Sequence, residues 1–546
     1  MVRSALVLFA ASFFVGACSS GRTGRGGDGG PSGTADLAAS LTGTVTQTVV
    51  TDGTPADAPN QFNGPDDPSV APKLVYPADG VLMPPNISLL EFQWLPAPGG
   101  TVYELRLVST HLDLAVYTTC KTVGAGCGYQ PDAATWTLLS TQARGDTMKV
   151  TLRASSGQGT GVGSAATQSL SLTQEDLLGG LYYWAAAAGE IDRYDFGLNG
   201  SAETFYSAGE SGAICVGCHA LARNGQRIAV GLNAPVPQAG LRVLDISTKT
   251  ALFTQGTSNF ESFSPDASRI LANDGSGNLN LLDGSTGLQL GTAPVIPSAN
   301  LPDWSADGTS VVFSRPDASA CPIPAFCAAS PGVTGGSLYT VSHVGDTFGT
   351  PTQIVTGGGN NFYPTYSPDG SLVAFDRSAS NQSSFDASDA RVFVVSSSGG
   401  PALPLTSASA SGSDVGDSWP KFAPFSHHFG SDTIFWLTFS SRRDYGLRIL
   451  NSTKQVTTDS DGTVHDPRIS QLWMVGVPAS ALSTGALPKG GYPAIWLPFQ
   501  SMTSGNHIAQ WTETVPRQPC GTVDGTPCPA NQTCENGVCQ GVPPIN

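Results

Sequence analysis

The run CVGCH at residues 215–219 is the clearest chemical signal in the sequence. Two thiols three positions apart, followed at once by an imidazole, have the spacing of covalent c-type haem attachment. In such a site both thiols form thioethers to the haem vinyl groups, and the imidazole reaches the iron from one face. The sequence therefore predicts haem c as a cofactor, with Cys215 and Cys218 as attachment residues and His219 as the proximal, metal-binding ligand.

Two alternatives stay open for these residues. Cys215 and Cys218 could form a local disulfide with His219 incidental, or the run could bind zinc, although no second Cys/His pair at metal spacing lies nearby in sequence. The sequence does not single out a second iron ligand among its candidates, Met83, Met502 and His507. Whether the chain is an enzyme stays open too, since a peroxidase-like activity would require an open iron site. No Gly-x-Ser-x-Gly elbow, phosphate loop or His-Glu-x-x-His motif occurs in the sequence.

The N-terminus has the pattern of an export signal. Arg3 precedes an apolar stretch at 5–15 that is too short to span a bilayer, and the run VGAC follows at 15–18. This ending resembles the bacterial lipobox, with Val15 in place of the more usual Leu. The resemblance implies a lipoprotein signal peptide at 1–18, lipidation of Cys18, and an outer-membrane lipoprotein facing the periplasm or the cell surface. An ordinary cleaved signal is the alternative.

Composition restricts the class of protein and its partners. The 546 residues suffice for two or three domains, and 65 Gly and 40 Pro with only 12% charged residues suit an exported all-β chain. A net charge of −16 argues against binding to nucleic acid or to anionic lipid. Contact with a lipid membrane is therefore expected only through the N-terminal acyl anchor.

The cysteines predict disulfides. Ten remain after Cys18, and they occur in local clusters, as is usual for disulfides in exported proteins. Apart from the pair in CVGCH, the candidates are Cys120, Cys127, Cys321, Cys327, Cys520, Cys528, Cys534 and Cys539.

The first half of the chain divides into a linker and a β-sandwich. Residues 19–71 are rich in Gly, Thr, Pro and Asp, which predicts a flexible linker. Short alternating runs separated by Gly/Pro turns follow over 72–208 and predict a sandwich. Its early Trp94 and its late aromatic run around Trp184 resemble those of fibronectin type III and immunoglobulin-like domains, which implies that both tryptophans lie in the core.

The second half contains a repeat. Runs such as FSPDASRI (263–270), WSADGTSVVF (304–313) and YSPDGSLVAF (366–375) place a tight turn before a buried strand, and LARNGQRIA (221–229) is a degenerate first copy. The first turns are 42 and 41 positions apart, a period typical of propeller blades. The motif resembles the repeat of TolB-type propellers, which implies a propeller over 219–515 with protein partners on its face. We count six blades, the last completed by 494–499.

The predicted fold class is thus all-β: a β-sandwich, a junction at 209–218 with CVGCH, a six-bladed β-propeller, and a small disulfide-stapled module at 516–546 that resembles EGF-like knots. The predicted function is an exported, lipid-anchored propeller that carries haem c for electron transfer or haem-linked sensing. The alternative is a non-enzymatic protein-interaction scaffold in which Cys215 and Cys218 form a disulfide.

Overall fold

The computed structural model describes residues 43–157, 160–197, 200–233, 240–256, 260–316, 332–384, 387–409, 415–460, 464–480 and 491–516, together with the backbone of 532–535 and 538–541. Strands dominate these ranges, as predicted for an all-β chain. None of the helices within them is both long enough and apolar enough to cross a membrane.

Two sheets form the N-terminal sandwich. In spatial order the larger sheet contains strands Val45–Val50, Leu112–Thr119, Val102–Val108, Thr147–Ser155, Gln168–Leu172 and Val81–Met83, with Val162–Ser164 added beside Thr147–Ser155. The smaller sheet contains Lys73–Tyr76, Phe92–Leu95, Gly126–Tyr129 and Lys121–Val123. Trp94 and Tyr103 come from different sheets, are fully buried, and have ring centroids 5.2 Å apart, so this core lies between the sheets.

Helices within the described ranges are few and short. They are Ala133–Gln142 and Ala208–Ser211, with 3-10 turns at Ala58–Phe62, Pro68–Val70 and Asn451–Thr453. The predicted disulfide between Cys120 and Cys127 is confirmed; it joins the residue before strand Lys121–Val123 to the neighbouring strand Gly126–Tyr129 of the smaller sheet.

The predicted linker at 19–71 is wrong over its second part. Val45–Val50 pairs in parallel with Leu112–Thr119, and Ala58 and Phe62 are buried. This strand lies at the edge of the sheet and is largely exposed, so its residues lack the clear alternation of a half-buried strand. Residues 1–42, including Cys18, lie outside the described residues.

Six further sheets follow one pattern, in which one edge strand of each sheet lies innermost. In five of the six sheets this strand is the first in the chain. Blade one contains Cys215–Leu221, Arg227–Asn233, Gly240–Asp245 and Ala251–Gln255. Blade two contains Glu261–Phe263, Arg269–Asn273, Leu279–Asp283 and Gln289–Leu290. Blade three contains Asn300–Trp304, Ser310–Pro316, Gly336–Val344, Thr347–Phe348 and Thr352–Val355. Blade four contains Asn360–Tyr366, Leu372–Ser378, Arg391–Ser396 and Leu403–Pro404. Blade five contains Ser418–Phe429, Asp432–Ser441, Gln471–Pro478 and Ile495–Trp496.

Blade six joins the two ends of the propeller. Its inner strand is Asn506–Thr512, and its other strands are Gly180–Ala185, Glu190–Asp195 and Glu203–Tyr206 from before blade one. The six inner strands contact one another in a closed ring, in the order of the blades. The prediction of a six-bladed propeller is therefore confirmed.

Three predicted boundaries need correction. Strands at 180–206 belong to the propeller rather than to the sandwich of 72–208, because they form one sheet with Asn506–Thr512. Ile495–Trp496 is the outer strand of blade five and does not complete blade six. CVGCH is not a junction before the propeller, since Cys215–Leu221 is already the inner strand of blade one.

The repeated acidic residues build turns, as the repeat predicted. Asp266 Oδ1 accepts hydrogen bonds from the Ser264 hydroxyl (2.6 Å) and the Ser268 amide (3.1 Å). Asp307 and Asp369 make the same pair of bonds in blades three and four. Each carboxylate therefore fastens the turn that leads from the inner strand to the second strand.

The sandwich packs against blade five. Arg448 donates two hydrogen bonds to the Glu91 carboxylate, and the Leu447 amide donates to Gln93 Oε1 at 2.6 Å. Tyr445 stacks on Trp496 at 4.0 Å. A small strand pair, Thr457–Thr458 with Val464–His465, extends from the same connection. A connection within blade five thus attaches the propeller to the sandwich.

Little of the C-terminal module is described. Strands Gln532–Glu535 and Val538–Gly541 form a hairpin with Cys534 opposite Cys539. The side chains of 516–546 beyond Pro516, and with them the predicted disulfides of Cys520, Cys528, Cys534 and Cys539, lie outside the described residues. The same holds for Cys321 and Cys327.

Candidate functional site

The six inner strands line a central channel, and five of them bulge at the same level. The sheet register shifts at this level in blades one, three, four, five and six. In each bulge one residue other than glycine takes a positive φ, between 39° and 56°. These residues are Cys218, Leu301, Tyr363, Trp419 and Ile508. A bulge re-aims the side chain it carries, and here all five line the channel cavity.

Phe260 supplies the sixth member of this level, immediately before the inner strand of blade two. Its ring centroid lies 5.7 Å from that of Tyr363, which in turn lies 5.2 Å from that of Trp419. The three rings come from blades two, four and five, and they pack with Leu301 in one apolar cluster. We call the six residues the plug ring, because they line the channel at one level and rings from three blades pack together there. They are Cys218, Phe260, Leu301, Tyr363, Trp419 and Ile508.

A polar ring lies two residues further along each inner strand. Its members also line the cavity, and they are Ala220, Ser262, Asp303, Thr365, Lys421 and Gln510. Beyond them, Arg223, Pro265 and Pro424 form the mouth, next to the turns that follow the inner strands. The cavity volume is about 110 Å³. The plug ring therefore lines one level of this pocket, and the polar ring lines the next.

A buried ion pair crosses the polar ring. Lys421 Nζ lies 2.5 Å from Asp303 Oδ1, and the Tyr366 amide donates to Asp303 Oδ2 at 3.0 Å. The Asp303 side chain is 8% exposed and that of Lys421 is 25% exposed, so the carboxylate depends on these partners. The pair joins blade three to blade five across the pocket.

We expect the contributions of Asp303 and Lys421 to the free energy of unfolding to depend on each other. Lys421→Met leaves the Asp303 carboxylate buried without its cation and should lower the free energy of unfolding by ~3 kcal/mol. The double variant Asp303→Asn/Lys421→Met should lose clearly less than the sum of the single variants, as measured by urea unfolding. Additive losses would show that the two charges do not interact.

CVGCH folds as a buried strand, and its two thiols differ. Cys215 is disulfide-bonded and packs among Trp184, Ile191 and Phe205, whereas Cys218 is a free thiol in the plug ring. The predicted alternative, a disulfide between Cys215 and Cys218, is therefore wrong. Burial, together with the nearby Glu261 carboxylate, raises the pKa of the Cys218 thiol to about 12. The thiol is protonated at neutral pH.

His219 lies between blades one and six. Its Nε2 is 3.3 Å from the carbonyl oxygen of Tyr182, on the strand that pairs with the inner strand of blade six. The side chain is almost fully buried, and burial lowers its pKa to about 4. The imidazole is therefore neutral near pH 7, and its Nε2 donates to the Tyr182 carbonyl.

These residues do not fit haem c. Attachment requires both sulfurs to be free and to reach one porphyrin edge while the imidazole binds the iron. Here the Cys215 sulfur is used in a disulfide, the Cys218 sulfur lies in the channel, and Nε2 of His219 is bonded to a carbonyl oxygen. All residues of Cys215–Leu221 are buried by protein.

The candidate second iron ligands do not meet at one place. Met83 is buried in the sandwich, Met502 is exposed, and His507 packs between Trp184 and Trp419 with ring centroids 5.8 and 5.0 Å away. Among the described residues, no group of three or more His, Cys, Asp or Glu side chains could hold a metal ion. The zinc alternative gains no support from this part of the chain.

Sequence reasoning missed the plug ring and the polar ring. A signal for both was present, because Cys218, Phe260, Leu301 and Tyr363 each lie six positions before the turn residue of their repeat. Aligning the repeats backward from the turns would have placed these residues at one level of the channel.

The sheets and the pocket define the class of this chain: a six-bladed β-propeller protein with an N-terminal β-sandwich and a pocket in its channel. No family model matches the chain, and no curated protein matches it.

Among solved structures, the putative TolB from Agrobacterium tumefaciens is 14% identical, with 62% of this chain and 99% of that chain covered and a TM-score of 0.35. TolB from Acinetobacter baumannii is also 14% identical, with 67% and 79% covered and a TM-score of 0.33. Kuenenia stuttgartiensis hydrazine synthase is 13% identical, with 53% and 73% covered and a TM-score of 0.29. The propeller assignment itself rests on the sheet order and on the ring of inner strands.

Proposed function

We propose that this protein is an exported, non-enzymatic binding scaffold of the cell envelope, and that its channel pocket receives a segment of a partner protein. The observation that carries the proposal is the pocket itself, whose lining combines the largely apolar plug ring with the polar ring. Binding sites are typically concave and mostly apolar, with a few placed polar groups.

The lining suits a polypeptide segment. Trp304, Phe422 and Trp511 line the pocket together with several prolines, and the polar ring adds hydroxyl and amide groups. Aromatic side chains are enriched in protein interfaces, and hydroxyl and amide groups match the donors and acceptors of a peptide backbone.

The protonation states in the pocket favour binding over catalysis. The Cys218 pKa lies far above neutral pH, so the thiol is not a nucleophilic thiolate. The Asp303 carboxylate is held by Lys421 and by the Tyr366 amide rather than left available as a base. His219 is neutral and occupied by the Tyr182 carbonyl.

Export and anchoring belong to the same proposal. The lipobox-like ending at Cys18 supports an acyl anchor in the outer membrane. The disulfide between Cys120 and Cys127 suits an oxidising compartment such as the periplasm. Residues 19–44 would then connect the lipid to the sandwich, which attaches to the propeller through blade five.

Site-specific photo-crosslinking in intact cells tests the proposal. A photoreactive residue at Gln510, in the polar ring, should crosslink one defined protein, and excess wild-type protein should compete for it. The matched control is Leu252, which is exposed on the outermost strand of blade one. Crosslinks that form equally from both positions, or only from Leu252, would contradict the pocket as the binding site.

A further inference from the structure

The sequence around CVGCH aligns with the other propeller repeats without a gap. With Asn224-Gly225 superposed on Asp307-Gly308 and on Asp369-Gly370, the dipeptide Cys218-His219 falls on Leu301-Pro302 and on Tyr363-Pro364. Blade five continues the pattern with Trp419-Pro420. The two residues that would bind haem and iron thus occupy a repeated position of the inner strand.

The backbone gives these positions the same structure. Cys218, Leu301, Tyr363 and Trp419 all have a positive φ and all lie in a register shift between the first two strands of their blades. Residues other than glycine rarely adopt this conformation, so its recurrence in blade after blade reflects one architectural requirement. Cys218 meets that requirement in blade one.

His219 occupies the position that holds proline in blades three, four and five. Proline has no amide hydrogen and carries no polar side chain, so it suits a bulge at which the ladder is interrupted. His219 instead contributes a hydrogen bond from Nε2 to the Tyr182 carbonyl of blade six. Blade six is assembled from both ends of the propeller, so this bond fastens blade one to the blade that closes the ring.

From these observations we infer that CVGCH is the blade-one copy of the plug-ring motif and not a haem attachment site. Cys215 serves as a structural disulfide partner, and Cys218 is a buried free thiol in the plug ring. His219 links blades one and six through its hydrogen bond to the Tyr182 carbonyl. The inference does not depend on what the pocket binds.

The experiment compares full-length protein exported with and without co-expressed haem c attachment machinery, with a known cytochrome c as positive control. After denaturation, the propeller chain should retain no haem absorbance while the control retains it. Free thiols are then alkylated in denaturant without reductant, and the peptide that contains 215–218 is sequenced by mass spectrometry. Cys218 should be alkylated, and Cys215 should be alkylated only after reduction. Haem retained on the chain, or a disulfide between these two residues, would overturn the inference.

Two sets of variants keep the inference testable if one protein folds poorly. Cys218→Ser should leave Cys215 in its disulfide, and the appearance of Cys215 as a free thiol would show that the two residues pair. His219→Gln, which can still donate to the Tyr182 carbonyl, should keep a thermal midpoint closer to wild type than His219→Leu does. Equal thermal midpoints for the two His219 variants would show that the His219 hydrogen bond does not stabilise the contact between blades one and six.

Discussion

A chain that ends after Gly505 is expected to lose cooperative folding of the propeller, whereas a chain that ends after Pro516 is expected to unfold near the wild-type temperature. The shorter chain lacks Asn506–Thr512, the inner strand of blade six, and so leaves Gly180–Ala185 as an unpaired sheet edge. It also lacks Trp511, which stacks on Phe196 at 5.1 Å and donates to the Thr438 hydroxyl at 3.0 Å.

The size of this effect follows from burial. Removing one buried tryptophan side chain costs about 3–5 kcal/mol, and the whole protein's stability is on the order of 5–15 kcal/mol. Losing the entire strand should therefore cost more than the free energy of unfolding that stabilises the propeller. Circular dichroism melts and limited proteolysis of the two truncated chains measure this. A shorter chain with a cooperative transition at the wild-type temperature would show that the ring does not close through blade six.

Acid should destabilise the protein through the buried histidines His219 and His427, and His507 acts in the same direction because burial lowers its pKa to about 3. Burial lowers the pKa of His219 and of His427 to about 4, from an ordinary value of 6.5. Between these values the unfolded chain binds protons at both imidazoles and the folded chain does not, so the free energy of unfolding falls as pH falls from about 6.5 to about 4. Each histidine contributes a slope of up to ~1.4 kcal/mol per pH unit, and its stabilising effect is complete above pH 6.5.

Urea unfolding at a series of pH values measures this, with His219→Gln and His427→Gln as variants. Glutamine can replace the bond to the Tyr182 carbonyl in the first case and can accept from Trp436 Nε1 in the second. Burial raises the pKa of Asp376 and acts in the opposite direction, so the relevant quantity is the difference in slope between each variant and wild type. Slopes that do not change in either variant would contradict neutral buried imidazoles.

The repeat made most of the propeller predictable. Ser-Pro-Asp-Gly turns are local, because Asp369 binds side-chain and backbone groups within two residues of itself. The strands that follow are buried and β-branched, so their pattern is also local. The spacing of such turns located four blades, whereas the predicted total of six also relied on 494–499, which the structure places in blade five.

The closing blade was not predictable from the same signals. Gly180–Ala185 pairs with Asn506–Thr512 across more than 300 residues, and the aromatic run at 181–184 suits a sandwich strand as well as a propeller strand. Val45–Val50 was assigned to the linker because an exposed edge strand has little apolar alternation. Both errors concern pairing partners, which local patterns do not specify.

CVGCH illustrates a different limit. The spacing of its thiols and imidazole is a strong chemical signal when taken alone, but its register within the repeat places it in a buried bulge. The reactive groups are then directed to different neighbours: Cys215 to a core cluster, Cys218 to the channel, and His219 to the Tyr182 carbonyl. Repeat alignment carries more weight than the five-residue motif because it fixes where each side chain lies.

Hydrogen–deuterium exchange tests most directly whether the channel pocket is the binding site. The added ligand is the partner segment that crosslinks to position 510, supplied as a synthetic peptide. We predict slower amide exchange on binding in the inner strands that carry the polar ring, above all around Asp303, Thr365 and Lys421, with outer strands and the sandwich unchanged. Protection confined to the outer strands or to the sandwich, with the inner strands unaffected, would contradict the account.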